Sequence, residues 1–307
     1  MKQEIMLKIQ NVDKYYGKQK VIDDLNMIIY KNDIYGFIGE NGSGKTTTIK
    51  LITGLLKKDR GSIIFEGEKI GENNNLINSQ TRCLFDTPPN LDYLTPRSYL
   101  QLFSFIYGNI KLSESKILDI LDKFELKDYI DKKIKTFSYG MKKKLYLSTL
   151  LIGTHKLVIL DEPTNGLDVK SIIKFRNFII DLNKEFGTTI ILSSHMLSEI
   201  ETLCNRIGII NKGKILEEKT MNSHEESGYE TFRFRTENNL NNVILLLKEN
   251  SKCKIVRVNE SSKSVDIYIK RNLIFEVLKE FVNKDIQITE CFIKKDLSEY
   301  FMEKIES

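Results

Sequence analysis

Two kinds of apolar run occur along the first two thirds of the chain, separated by polar turns that mostly contain glycine. The first kind is broken by polar positions. Residues 5–12 (Ile-Met-Leu-Lys-Ile-Gln-Asn-Val) alternate loosely and predict a strand, Val21 to Tyr30 predicts a second around Asp23-Asp24, and residues 61–67 predict a short third ending in a hairpin. The second kind is unbroken. Ile34–Ile38, Leu157–Leu160 and the run from Thr188 to His195 predict strands buried on both faces. Helical segments fall between them: Thr46 to Leu56, Pro96 to about Tyr107, Ser113 to Phe124, Phe137 to Leu151 and Val169 to Phe186. Thr95, Ser113, Ser138 and Asp168 are the predicted N-caps. Cys83-Leu84-Phe85 is a brief apolar run stopped by Asp86-Thr87-Pro88-Pro89, and residues 71–80, with three consecutive asparagines, predict a polar surface loop. Arg206 to Glu217 predicts a strand pair turning at Lys212-Gly213.

Past a polar linker at 221–228 the pattern starts afresh. Strands are predicted over 231–236, 253–259, 265–270 and 286–294, with helices over 240–249, 273–282 and 297–305. This β-α-β-β-α-β-α order predicts a small ferredoxin-like α+β domain over 229–307, following an α/β domain over 1–220.

Composition changes this picture little. With 307 residues, 41% hydrophobic and 29% charged, the chain has the make-up of a two-domain globular protein. No apolar run approaches the roughly 18 residues that span a bilayer. The opening Met1-Lys2-Gln3-Glu4 lacks a following apolar stretch, so no secretory signal is expected. Cys83, Cys204, Cys253 and Cys291 are widely spaced and read as reduced, mostly buried thiols of a cytosolic protein. The net charge of +5 is uneven: residues 221–307 hold 14 Lys/Arg against 15 Asp/Glu, so the basic excess lies before them. Such an excess suits an anionic nucleotide and is too dispersed for a nucleic-acid groove. Lysine clusters such as Lys142-Lys143-Lys144 read as solvated surface.

The sharpest chemistry is Gly39-Glu40-Asn41-Gly42-Ser43-Gly44-Lys45-Thr46, followed by Thr47. It has the spacing G-x-x-x-x-G-K-[ST] between a predicted strand and a predicted helix, the context of a phosphate-binding P-loop. Gly39, Gly42 and Gly44 let backbone N–H groups face an anion, and the helix N-terminus adds its partial positive charge. Lys45 would reach the β/γ-phosphates and the Thr46 hydroxyl would ligate Mg²⁺. Asp161-Glu162 ends a buried strand: Asp161 is placed to hold Mg²⁺ and Glu162 to orient or deprotonate water. His195 ends another strand, where it can hydrogen-bond a phosphate oxygen. Tyr16, abutting Gly17, is an aromatic that can stack on a purine, or a packing tyrosine.

Together these motifs resemble the ATP-binding subunits of ABC transporters over residues 1–220. Phe137-Ser138-Tyr139-Gly140-Met141 is similar to that family's LSGGQ element, Leu157–Glu162 to its Walker B strand, Gly166-Leu167-Asp168 to its D-loop and His195 to its switch histidine. The resemblance implies a mixed-sheet core with an antiparallel β subdomain and a helical subdomain. It also implies that Tyr16 stacks on adenine, and that Ser138, Gly140 and Asp168 face the nucleotide across a homodimer closed on two ATP. It further implies ATP and Mg²⁺ as ligands, Glu162 and His195 as catalytic residues, and a separate integral membrane permease as partner. No nucleic-acid partner is expected, and the implied location is cytoplasmic, on the inner face of the cell membrane. Two positions depart from the pattern. Tyr139 stands where the first glycine of LSGGQ is usual, and Asp86 stands at the Q-loop glutamine, where a shorter carboxylate would touch Mg²⁺ or water. Subfamilies exporting bacitracin-like and lantibiotic peptides carry a glutamate in an E-T-P context there, similar to Asp86-Thr87-Pro88 here. The C-terminal part, ending in Asp296-Leu297-Ser298-Glu299-Tyr300-Phe301, resembles the extension of drug- and peptide-antibiotic-export ATPases. The implied function is export of a peptide antibiotic or hydrophobic drug. Export of ions or lipids is the alternative within the family, and action on ribosomes or nucleic acid the alternative outside transport.

Overall fold

A computed structural model of the chain describes residues 3–70, 75–108, 110–221, 229–237, 240–250 and 252–293. Contacts divide the chain into two compact units, one running to Lys219 and the other starting at Thr220. In the first, the elements are β1 Ile5–Tyr16, β2 Gln19–Tyr30, β3 Ile34–Ile38, α1 Lys45–Ile52, β4 Arg60–Phe65, β5 Glu68–Lys69, α2 Asn75–Gln80, β6 Thr81–Leu84, α3 Pro96–Gly108, α4 Glu114–Lys123, α5 Tyr139–Ser148, β7 Leu157–Asp161, α6 Val169–Phe186, β8 Thr189–Ser194, α7 Leu197–Leu203, β9 Arg206–Asn211 and β10 Lys214–Thr220.

These elements form two sheets. The alternating strands make an antiparallel sheet, order β2-β1-β4-β5, and the unbroken runs make a six-stranded sheet, order β10-β9-β3-β8-β7-β6. Strands β9, β3, β8, β7 and β6 pair in parallel, which requires both faces to be covered and explains their uninterrupted apolar sequence. One core joins the inner faces: Leu7, Ile9, Met27 and Phe65 of the antiparallel sheet share it with Phe37, Ile159 and Ile191 of the parallel one. A second cluster, including Leu100, Ile117, Leu121 and Leu145, packs α3, α4 and α5 together.

The sequence expectations hold with identifiable exceptions. The helix expected to reach Leu56 stops at Ile52, because Thr53 caps it and Gly54 takes a left-handed φ of 71°. The loop expected over 71–80 contains helix α2, drawn in by Ile77, which is buried in the main core; residues 71–74 lie outside the described residues. Helix α7 was not expected. It packs directly on β3 because Gly36 has no side chain: a Cβ there would lie 2.6 Å from Ile200 Cγ2. All four cysteines are free thiols, but only Cys204 is buried; Cys83 and Cys253 are half-buried and Cys291 is exposed, correcting the expectation of mostly buried thiols.

The second unit comprises β11 Tyr229–Arg235, α8 Leu240–Glu249, β12 Cys253–Asn259, β13 Ser264–Lys270, α9 Ile274–Asn283 and β14 Glu290–Ile293. Its sheet has the order β12-β13-β11-β14, and every pairing is antiparallel. That is the split β-α-β arrangement of a ferredoxin-like sandwich, as expected. Phe234, Val243, Leu247, Ile267, Val277 and Phe281 lie in its own core. The linker expected over 221–228, apart from Met221, and the helix expected over 297–305 lie outside the described residues.

One buried group carries a pH dependence. His155 sits just before β7, and burial together with the Arg82 guanidinium pushes its imidazole from 6.5 down to about 4. Arg82 is itself buried, stacked 3.9 Å above the Tyr107 ring. Folded protein therefore keeps His155 neutral, while unfolded chain binds a proton below pH 6.5. This contribution to stability is full above pH 6.5 and is lost as pH falls toward 4, at roughly 1.4 kcal/mol per pH unit for one proton. A His155→Gln variant is expected to lose stability less steeply than wild type between pH 6.5 and 4.5. Denaturant midpoints across that range check this, and parallel profiles would dismiss His155 as the titrating group.

Candidate active site

The parallel strands end together, so the residues that follow β3, β7 and β8 meet at one edge of the sheet, where open α/β sheets bind ligands. The register Phe37↔Ser193 and Asp161↔Ser193 brings the P-loop strand, Asp161 and the strand before His195 side by side.

From β3 the chain turns through Gly39–Gly44 into α1. Gly42 and Gly44 have φ of 81° and 112°, values that favour glycine. Gly44 is the N-cap of α1 and supplies no side-chain cap, which leaves the first N–H groups of the helix facing the loop. Gly39 admits no side chain, since a Cβ would meet Ser43 Oγ at 2.4 Å and Ile210 O at 2.5 Å. Ser43 Oγ is buried without a hydrogen-bond partner among the described residues. Asn41 and Thr46 are exposed and Thr47 is half-buried. Lys45 is buried, and its ammonium donates to Gly39 O at 2.7 Å and Glu40 O at 3.2 Å. Burial lowers its pKa, against the opposing pull of Glu162 and Asp161.

The two acids after β7 are held differently. Asp161 is buried, accepting from Thr46 Oγ1 at 2.9 Å and from Ser193 Oγ at 2.5 Å. Glu162 takes a left-handed φ of 46°, unusual for a residue with a Cβ. Its N–H points to Ser193 O and Oγ, each at 3.1 Å. Its Oε2 lies 2.7 Å from His195 Nδ1 and its Oε1 lies 3.9 Å from Lys45 Nζ. Glu162 thus stands between the P-loop lysine and His195, as the two motifs imply only in combination.

The loop is also braced from outside. Gly213 N donates to Ser43 O at 2.8 Å, and Asp23 N donates to Gly213 O at 3.0 Å. These bonds stitch β2, the β9–β10 turn and the P-loop together. Gly213 is required there, because a Cβ would meet Val21 O at 2.2 Å. Tyr16 lies at the end of this same antiparallel sheet, in the β1–β2 hairpin, and is 49% exposed. Behind His195, the buried Glu199 accepts from Thr164 Oγ1 at 2.7 Å and from Ser194 Oγ at 3.4 Å.

Other predicted residues gather beside this site rather than in it. Ser138 caps α5, accepting from Met141 N at 3.3 Å, and is itself exposed. Gly140 abuts Gly166, where a Cβ on Gly140 would lie 3.1 Å from Gly166 O. Tyr139 lies against Gly166 too: a Cβ on Gly166 would meet the Tyr139 ring at 2.3 Å. The Tyr139 hydroxyl donates to Asp86 O at 3.5 Å. Asp168 caps α6, its carboxylate taking Ser171 N at 2.8 Å and Ser171 Oγ at 3.1 Å, and these bonds hold its pKa below the usual range. Asp86 Oδ1 receives Asn165 Nδ2 at 3.2 Å and Lys143 Nζ at 3.3 Å. The lysine run corrects the expectation of a solvated cluster. Lys142 and Lys144 pair with Asp92 and Glu125 at 2.6 and 3.0 Å, but the Lys143 side chain is only 1% exposed.

The donor set fits a hard divalent cation: the Thr46 hydroxyl and the Asp161 carboxylate are adjacent oxygen donors, and Mg²⁺ takes few protein ligands besides phosphate and water. A glycine-rich anion loop, a buried lysine and a carboxylate–histidine pair on one parallel sheet define a nucleoside-triphosphate-binding unit of the P-loop class. The ABC transporter family model matches residues 22–165. The chain is 42% identical to the lantibiotic transport ATP-binding protein SrtF of Streptococcus pyogenes, over 72% of this chain and 93% of that protein. It is 34% identical to the bacitracin transport ATP-binding protein BcrA of Bacillus licheniformis, over 98% of this chain and 97% of that one. A solved structure described as the ATP-binding subunit of an ABC transporter superposes with TM-score 0.64 at 28% identity, covering 72% of this chain and 92% of that one. The chain belongs to the ATP-binding subunits of ABC transporters. Among its described residues no helix is long and apolar enough to cross a membrane.

Proposed function

We propose that this subunit hydrolyses ATP to drive export of a peptide antibiotic through a separate membrane permease. The observation that carries the hydrolytic part is Glu162, held 2.7 Å from His195 Nδ1 and 3.9 Å from Lys45 Nζ. Lys45 and the N–H groups of Gly42–Thr46 hold the phosphates. Tyr16 stacks on adenine. Glu162 takes the proton of the attacking water, and His195 fixes the direction of its carboxylate. Thr46 and Asp161 would hold Mg²⁺, which neutralises charge developing on the phosphate oxygens. Ser138 and Gly140 present an exposed helix N-terminus that completes the site of a second copy, so two chains close on two ATP. Asp168 sets the start of α6 beside that junction.

Cargo and location rest on kinship. The relatives named for lantibiotic and bacitracin transport match at 42% and 34% identity, and the BcrA match extends over both units of this chain. The subunit accordingly works at the cytoplasmic face of the membrane. The test is co-purification with a permease from membranes, together with the sensitivity of a deletion strain to bacitracin-class and lantibiotic peptides. Sensitivity should rise on deletion and be restored by the wild-type gene but not by Lys45→Ala. Recovery only with ribosomes or DNA, at unchanged sensitivity, would sink the export reading.

A further inference from the structure

Lys143 lies one and a half turns into α5, five residues beyond Ser138, with its side chain 1% exposed. An ammonium group has three hydrogens and must place all of them when buried. Here three acceptors meet it: Asp86 O, Asp86 Oδ1 at 3.3 Å and Glu162 O at 3.1 Å. The Asp86 carboxylate is the counter-charge. The ammonium therefore ties together three segments far apart in sequence: the helix behind Ser138, the loop after β6, and the residue that faces water in the proposed reaction.

The tie bears on Glu162 in particular. A non-glycine residue at φ 46° is held only where its surroundings fix both flanking peptide groups. Ser193 fixes the N–H of Glu162, and its carbonyl accepts from Lys143 Nζ at 3.1 Å as well as from Asn165 N at 3.4 Å. The loop at Asp86 is anchored to the same region by Asn165, and Tyr139 reaches its carbonyl.

We propose that Lys143 is a positioning residue for ATP turnover: through its bonds to Asp86 and to the Glu162 carbonyl, it makes the working orientation of Glu162 depend on where the Asp86 loop and α5 stand. Asp86 is then a structural counterpart of Lys143 rather than a metal ligand. This inference rests on the reading of Glu162 as the group that activates water.

The test measures steady-state ATP hydrolysis and binding of a fluorescent ATP analogue with the full chain. The variants are Lys143→Gln, Asp86→Asn, the two combined, and Glu162→Gln as control. Lys143→Gln leaves Asp86 without its cation and should lower kcat by about 10-fold or more, with KM and analogue affinity within about 3-fold of wild type. The combined variant, neutral on both sides and still able to hydrogen-bond, should recover kcat to within about 5-fold of wild type. A merely structural role would not give a loss confined to kcat that a second substitution reverses. Wild-type kcat in folded Lys143→Gln, or a combined variant no faster than Lys143→Gln alone, overturns the proposal. If Lys143→Gln does not fold, Asp86→Asn decides: a fall in kcat at constant KM supports the tie, and unchanged kcat overturns it. If Glu162→Gln turns over at the wild-type rate, it is the Glu162 reading that fails.

Discussion

A Glu162→Gln variant is expected to bind ATP with an affinity close to wild type and to hydrolyse it about 10² to 10⁴ times more slowly, the range lost with a positioned general base. Glutamine keeps the length and shape of the side chain, and its amide can still meet His195, so the pair at 2.7 Å need not come apart. What it cannot do is accept a proton from water. The phosphate-holding groups keep their hydrogen bonds: Lys45 engages Gly39 and Glu40 carbonyls and loses only the 3.9 Å charge contact with Glu162, and Thr46 engages Asp161 rather than Glu162. The left-handed backbone at Glu162 is held through its N–H and carbonyl, which the substitution leaves in place. The measurement is phosphate release beside fluorescent-nucleotide binding, with size-exclusion chromatography in ATP to test whether two chains associate. Undiminished phosphate release would falsify Glu162 as the base. Lost nucleotide affinity would instead assign the carboxylate to ATP binding. The contrasting variant is Asp161→Asn, which weakens the carboxylate shared by Thr46 and Ser193 and should impair Mg²⁺-dependent binding itself.

The parts of this site that were legible in the sequence are those written in consecutive residues. Gly39–Thr46 and Leu157–Glu162 each carry their chemistry within one strand and the turn after it, so spacing alone places them. Ser138 and Asp168 were legible for a similar reason, since a cap and its helix are neighbours. The parts that were missed are contacts between distant segments. Lys143 reaches Asp86 across 57 residues and Ser193 reaches Asp161 across 32. In sequence the first looked like one of three surface lysines and the second like an ordinary strand end. Strand order would have exposed Ser193, because β7 and β8 are parallel neighbours in which Asp161 sits opposite it. No such rule exposes Lys143, whose burial depends on how α5 lies on the loops of the sheet. Gly213 was legible as a turn glycine but not as a brace, because its donation to Ser43 requires knowing that the β9–β10 turn folds back on the P-loop. Helix α7 went unseen because it is only seven residues long and lies against a glycine of β3 rather than following a long apolar period.

Asp33→Ala is expected to cost about 3 to 5 kcal/mol of stability, the range for leaving a buried charge without its partner. Asp33 stands in the turn between β2 and β3 and is buried; its Oδ2 accepts from Arg206 at 2.8 Å and from Tyr30 N at 2.9 Å. Arg206 is largely buried too, donating to Ile28 O at 3.0 Å with its guanidinium 4.6 Å above the Tyr30 ring. The pair therefore joins the edge of the antiparallel sheet to β9 of the parallel sheet, next to the strand that feeds the P-loop. Removing the carboxylate leaves the guanidinium with Glu218 at 3.7 Å, a longer contact that Glu218 shares with the Tyr35 hydroxyl at 2.7 Å. That residual partner argues for the lower half of the range. Asp33→Asn keeps an acceptor for Tyr30 N and should cost less. Lys31→Ala, two residues away, loses an open pair with Glu4 and a 3.5 Å contact with Glu66, which keeps Lys156 at 2.6 Å, and should move the unfolding midpoint far less. Denaturant unfolding of the full chain followed by tyrosine fluorescence reads all three, and nucleotide affinity of the folded Asp33→Ala fraction should match wild type because no P-loop contact is altered. An Asp33→Ala midpoint no lower than that of Lys31→Ala would mean that Glu218, the Ile28 carbonyl and the Tyr30 ring suffice to hold Arg206, and that the two sheets are joined by their apolar core without help from this pair.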